Sequence, residues 1–365
     1  MLDALDPSLL TPTVWSELFD IFQVHYSADL PFLHPPTFLK PLRQATMQPP
    51  GATMPSPNSV NARPPGPDEF LLAFLALTAR FHPAIVAHHS PSTSSRPSNP
   101  LIASEYYANA AGERHLSVWS DSENGAQRIE SVQAALMLGL HEWGMCRGFK
   151  AWLRIGMAIR CAQAIGLQYE KDLDDEPNSR SMALNFEAER MGIGPDRNQS
   201  FSSASGEESA FIAQEIRRRT FWSCYVMDRY LSSGKYRPQM LHARELRIQL
   251  PASERSFLFA EKVRTLMLGE QDRSVATRAE VQSHRHAAMM GAGGSLAELA
   301  GGPSPSSMNG QEGDDKEGRL EVGADEGLVS RYIKVLEIYG KVVQWSCSGG
   351  RRYVTPFHFP SDIQC

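Results

Sequence analysis

Residues 215–251 read EIRRRTFWSCYVMDRYLSSGKYRPQMLHARELRIQLP, and the reading of this stretch decides the fold. Phe221, Trp222, Tyr225, Val226, Met227, Tyr230 and Leu231 make the segment apolar almost all round, and a helix of that kind is buried. Charges inside it must then be paired or reach the surface. The sequence predicts that Asp228 pairs with Arg237 and so fixes the Arg237-Pro238 turn against the helix, with Arg229 beside it. Arg217, Arg218 and Arg219 flank the start of the helix. They are expected to pair with Glu215 and local carboxylates while their stems cover apolar surface. As a patch for DNA, for an acidic partner or for nuclear import, three arginines fall short of the roughly five to eight basic residues usual there. A catalytic role for Asp228 lacks a neighbouring histidine or second carboxylate in the sequence.

Working outward, every other periodic segment is also helical. Leu18, Phe19 and Phe22 follow a first cap at Asp6 or Thr13, and Pro31, Pro35 and Pro36 then interrupt the helix. Phe70–Arg80, Ala103–Ser120, Ile129–Trp143 and Gly148–Leu167 follow as further helices. In the last of these, Trp152, Ile155, Ile159 and Ala162 share a face with Gly156 and Gly166, where small residues would admit a neighbouring helix. Arg331–Ser346 carries a wide apolar stripe and predicts a C-terminal helix at about 329–348. The fold class is all-α: an irregular multi-helix domain over 13–265, after an N-terminal tail of 1–12. Segments rich in Pro, Ser, Gly and charge at about 46–68, 90–100 and 171–208 read as disordered insertions. Residues 270–325 read as a low-complexity acidic linker.

The chain has 365 residues, enough for a substantial core, and a net charge of −5 from 41 acidic and 36 basic residues. A phosphate-gripping surface would show a basic excess, which is absent here. Its five cysteines (Cys146, Cys161, Cys224, Cys347 and Cys365) are scattered, with no Cys-x2-Cys pair for a zinc shell. Such spacing fits a reducing compartment better than a disulfide framework. His141-Glu142 opens like a metalloprotease motif, but Met145 stands where the second histidine belongs. His88-His89, His284 and His286 lack a third ligand, and Gly291–Gly294 lacks the Lys-Ser/Thr of a phosphate loop. No cofactor is expected in this chain, and no catalytic or metal residue is assigned. The N-terminus has no basic run before an apolar core, and the most apolar run, Phe70–Ala79, is far below the ~20 residues of a membrane span. Phe32, Phe38, Trp152, Trp222 and Tyr225 could line a small-molecule pocket, although aromatic residues at helical spacing are usually core.

Three blocks in consistent order resemble the fungal-specific transcription factor domain, the helical regulatory region of zinc-cluster activators. The first is Leu30, Pro31, Phe32, Leu33, His34, Pro35, Pro36, Thr37 and Phe38. The second is the helix pair at 129–167. The third carries Glu215, Arg217, Arg218, Arg219, Phe221, Trp222, Asp228, Arg229, Ser232, Arg237, Pro238, Leu250 and Pro251, with Tyr236 where a glycine is common. The resemblance implies a nuclear protein that regulates RNA polymerase II-dependent transcription. It implies DNA binding through an N-terminal zinc cluster, which is not in this sequence, so zinc is expected only in that missing cluster. Transcriptional co-regulators, a second copy of the chain and a small-molecule effector are the partners to expect, with no membrane. A stand-alone helical interaction module without DNA binding and an α-helical enzyme are the alternatives.

Overall fold

The computed structural model describes residues 4–46, 62–94, 97–121, 128–170, 199–232, 237–270 and 326–347, with 117–121 and 199–207 as backbone alone. The predicted all-α class holds: the described residues form ten α-helices and two isolated β-bridges, with no strand. The remaining parts of the insertions and of the acidic stretch lie outside the described residues.

Helix α1 (Pro12–His25) starts two residues earlier than a Thr13 cap and five later than an Asp6 cap would place it. Thr11 is the N-cap, its hydroxyl accepting from Val14 N at 3.4 Å, and Pro12 takes the first helical position, where a missing N–H is harmless. Asp6 instead caps the preceding turn through Ser8 N. Trp15, Leu18, Phe19 and Phe22 face inward. The prolines separate α1 from α2 (Pro35–Thr46) as expected, and the turn between them buries Leu30 and Phe32.

Two helices form the centre. In α3 (Asp68–Thr78) every side chain from Glu69 to Thr78 is buried, and in α6 (Ile129–Gly144) every residue from Ser131 to Glu142 is. A short helix α4 (Pro83–His89) and the long α5 (Pro100–Asp121) pack on one side of α3. Residues on either side of 95–96, placed by the sequence in a disordered insertion, tie the start of α5 down: Asn99 N donates to the buried Ser90 hydroxyl.

Helix α7 (Gly148–Ala164) lies against α6, with Ile155, Ile159 and Ala162 buried and Trp152 half-buried. The close approach is made by Gly139 of α6, not by Gly156 or Gly166. A Cβ on Gly139 would stand 2.4 Å from Ile155 Cδ1, whereas one on Gly156 would meet only Met240 Sδ at 3.6 Å. Gly166, at φ +69°, terminates α7: its amide bonds to Gln163 O and that of Leu167 to Ala162 O. The same motif ends α6, where Cys146 takes the left-handed position at φ 60°.

The decisive stretch belongs to α8 (Gln199–Leu231), which starts inside the segment read as an insertion and is helical from residue 199. Its second half is sheathed by α6 and α7, by an extended segment at 246–252, and by α10 (Leu328–Cys347). A one-and-a-half-turn helix, α9 (Glu254–Phe259), capped by Ser253, follows the extended segment.

Candidate functional site

Two clusters of charge sit on α8 within an otherwise apolar surround. At the first, Glu215 is fully buried between two arginines. Its Oε1 accepts from Arg219 Nε at 2.8 Å and Ala252 N at 2.9 Å, and its Oε2 accepts from Arg218 Nη1 at 2.5 Å. Arg218 donates onward to Glu170 through Nη2 (2.6 Å) and Nε (3.3 Å). Glu170 also accepts from Gln214 Nε2 and from Gln249 N. Arg219 donates to both oxygens of Glu254 at 3.1 Å, to Ala252 O at 2.8 Å and to Pro31 O at 3.3 Å, with its guanidinium 4.1 Å above the Phe257 ring. Arg217 is half-buried and reaches Ile165 O at 3.4 Å. Arg218 and Arg219 are therefore tied to Glu215 and on to Glu170 and Glu254, whereas Arg217, among the described residues, meets only a backbone carbonyl. Fork-shaped guanidiniums suit this because each can serve a carboxylate and a backbone carbonyl together.

At the second cluster the predicted Asp228–Arg237 pair is not formed. Asp228 pairs with the adjacent Arg229 (Nη1 to Oδ2, 2.9 Å) and accepts from Met240 N, Leu241 N and the Ser232 hydroxyl. The carboxylate does fix the turn against the helix, but through the backbone amides of Met240 and Leu241, three and four residues after Arg237. Arg237 instead lies along α7, its Nη1 3.6 Å from the place a Cβ on Gly148 would occupy. Pro238 contributes its carbonyl, which accepts from Ser232 Oγ at 3.3 Å. Arg229 continues to Leu241 O at 2.8 Å, lies 4.1 Å above the Tyr225 ring and comes within 3.6 Å of Glu337 on α10. The Tyr225 hydroxyl donates to that same Glu337, and burial raises its pKa, so it stays a donor at neutral pH. Trp222 is fully buried with Nε1 donating to Gln249 O at 2.7 Å.

The aromatic pocket is not formed by the residues that suggested it. Phe32, Phe38, Trp222 and Tyr225 are core, and Trp152 is half-buried against it. An open groove of about 380 Å³ lies elsewhere, between the α1–α2 turn, α9 and the start of α10, lined among others by Leu30, Leu33, Phe257, Leu258 and Leu328, with Glu254 on its rim.

His141 is no metal ligand in this geometry. Its Nδ1 accepts from Arg80 Nη2 at 3.0 Å and its Nε2 faces Glu105 and Arg147. Burial, reinforced by Arg80, lowers its pKa to about 4, so the ring is neutral. Glu142 pairs with Arg147 at 2.5 Å. Among the described residues no group of three His, Cys, Asp or Glu side chains is placed to hold a metal ion. Burial pushes the Cys161 thiol up to about 11 and Cys224 higher still, so neither is a thiolate. The sequence missed Glu170, Glu254 and Glu337 as partners. They lie 48, 35 and 108 residues from their arginines, and no local spacing signals such a contact.

A family model, the fungal specific transcription factor domain, matches residues 15–287. The chain belongs to this family. Arg218, Arg219, Arg229, Trp222 and Asp228 fall within the matched span and form a buried seam along α8. The chain is 28% identical over 265 residues to the Zn(2)-C6 fungal-type transcription factor FTF1c of Fusarium oxysporum f. sp. lycopersici, covering 72% of this chain and 22% of that protein. It is 29% identical over 229 residues to FTF2 of the same fungus, covering 62% and 16%. An uncharacterised transcriptional regulatory protein of Schizosaccharomyces pombe, C1327.01c, is 33% identical over 180 residues, covering 49% and 15%. The chain thus spans about a fifth of the length of the curated relatives it matches. No solved structure matches it. No single helix among the described residues is long and apolar enough to cross a membrane.

Proposed function

We propose that this chain is the regulatory domain of a nuclear fungal transcription regulator that acts on RNA polymerase II-dependent transcription through protein partners. The observation that carries this reading is the family match over residues 15–287, within which the most distinctive charged residues serve as internal ties. Arginines so committed are not available to phosphates, and the net charge of −5 disfavours a polyanion. DNA contact is therefore assigned to residues outside this sequence, such as a zinc cluster of the kind named for the relatives, and zinc belongs with it. A catalytic reading has no support from the described side chains: the buried carboxylates Glu215 and Asp228 are held by arginines and backbone amides rather than converging on a cleft.

Fusing the full chain to an unrelated DNA-binding domain tests this. The fusion is expected to change the output of a reporter carrying that domain's site, while the unfused chain fails to shift promoter DNA. A folded fusion that leaves reporter output unchanged would sink the proposal.

A further inference from the structure

Helix α10 is apolar on two opposite faces. One face, with Val329, Ile333, Leu336 and Gly340, is buried against the body of the domain. The other carries Leu328, Val335, Ile338, Tyr339 and Val342, with fractional exposures of 78%, 60%, 62%, 42% and 52%. These recur at helical spacing along about four turns and form a patch on the order of 500 Å², a size at which exposed apolar area marks an interaction site.

Charge decides what covers it. Lys334 and Lys341 border the patch along one edge, and Arg331 stands in its row, one turn before Val335. The helix holds a single acidic residue, Glu337, which is turned inward to Arg229 and the Tyr225 hydroxyl. Lys334 reaches Glu326 at 2.7 Å and Lys341 reaches Glu337 at 3.7 Å, but both lysines are solvent-facing, and pairs of that kind hold their partners weakly. The outer face is thus apolar and cationic on a chain that is acidic as a whole. A second copy laid antiparallel sets the lysine edge against its own kind, and one laid parallel sets Arg331 beside its mate. A bilayer-binding helix has a charged polar face opposite its apolar one, whereas here the opposite face is buried in the domain and Arg331 stands within the stripe.

We propose that the outer face of α10 docks an amphipathic helix of a partner protein whose leucine-type stripe is flanked by Asp and Glu. The stripe seats on Val335, Ile338 and Val342, the acidic flank lies along Lys334 and Lys341, and Arg331 meets an acid at the end of the stripe. The groove that begins at Leu328 and runs to Leu258 receives the end of the docked segment.

The test uses the full chain and a labelled synthetic peptide of about 18 residues, long enough for five turns, with leucines at heptad a and d and glutamates beside them. A twin peptide carries lysines in place of the glutamates. The glutamate peptide is expected to bind in the range of about 10 µM or tighter by fluorescence anisotropy, with the lysine twin at least tenfold weaker. Val335→Asp with Ile338→Asp should abolish binding without lowering the melting temperature, because both side chains are already in solvent. Lys334→Glu with Lys341→Glu should invert the preference between the peptides. Equal binding of the twins, or binding of neither up to about 200 µM, overturns the proposal. So does a concentration-dependent dimer in sedimentation that Ile338→Asp dissolves, which assigns the face to a second copy. Binding of vesicles containing phosphatidylserine, lost in the same variant, assigns it to lipid and equally overturns it.

Discussion

Asp228 gathers a guanidinium, a hydroxyl and two backbone amides around one carboxylate, all within a buried surround. Asp228→Ala leaves Arg229 charged and buried and both amides without their acceptor. A loss of about 3–5 kcal/mol in urea unfolding is expected, and an unchanged melting temperature refutes the role. Glu215→Gln should be of similar size, since two buried guanidiniums then face each other with their shared counter-charge gone. At Cys146 the backbone rather than the side chain is at issue. Its φ of 60° disfavours a β-branched residue, so Cys146→Val should lose about 1–2 kcal/mol while Cys146→Gly is neutral or slightly stabilising. That these charges had to be paired was legible in the sequence, because apolar neighbours on all sides leave no other state. Their partners were not. Asp228 chose Arg229 and main-chain donors over Arg237, and main-chain donors have no residue letter to read.

At the scale of elements, helical periodicity placed α3, α5, α6, α7 and α10 to within a few residues, because each buries a stripe with a 3.6-residue repeat, whereas α2, α4 and α9 were not foreseen and α8 begins inside a segment read as an insertion. Which helix touches which was less visible. The sequence attributed close packing to Gly156 and Gly166 because they share a face with Ile155, yet the contact is made by Gly139 on the neighbouring helix. A side chain there must push Ile155 aside. Gly139→Ala is expected to destabilise by about 1–3 kcal/mol, and adding Ile155→Val should restore part of it; additive losses in a double-mutant cycle would show that the two do not touch. The C-terminal helix shows the same limit from the other side. Its apolar stripe was readable, but not that one acid, Glu337, fastens it to Arg229 and Tyr225 from 108 and 112 residues away.

For the whole molecule, two histidines make stability depend on pH. His115 and His141 are buried, and burial together with Arg154 and Arg80 lowers each pKa to about 4, below the unfolded value of 6.5. The unfolded chain therefore takes up protons first as pH falls. Stability from this source is complete above about pH 6.5, declines toward pH 4, and the decline is on the order of 3 kcal/mol per histidine. Urea midpoints at pH 7.5 and 4.5 should show it, and His141→Asn should flatten the slope; a profile identical to the parent's would dismiss His141 as a source. Local pattern could not have announced this coupling, since it arises from burial in the folded core, reinforced by arginines distant in sequence. The seam on α8 has a further consequence, for how such proteins are told apart. Its arginines, tryptophan and aspartate are what make the chain recognisable among its relatives, and they are sealed from any visitor. The most conspicuous letters thus certify a lineage and an architecture while staying silent on vocation. Whatever distinguishes this regulator's business from that of its kin must be written in inconspicuous residues on its outside.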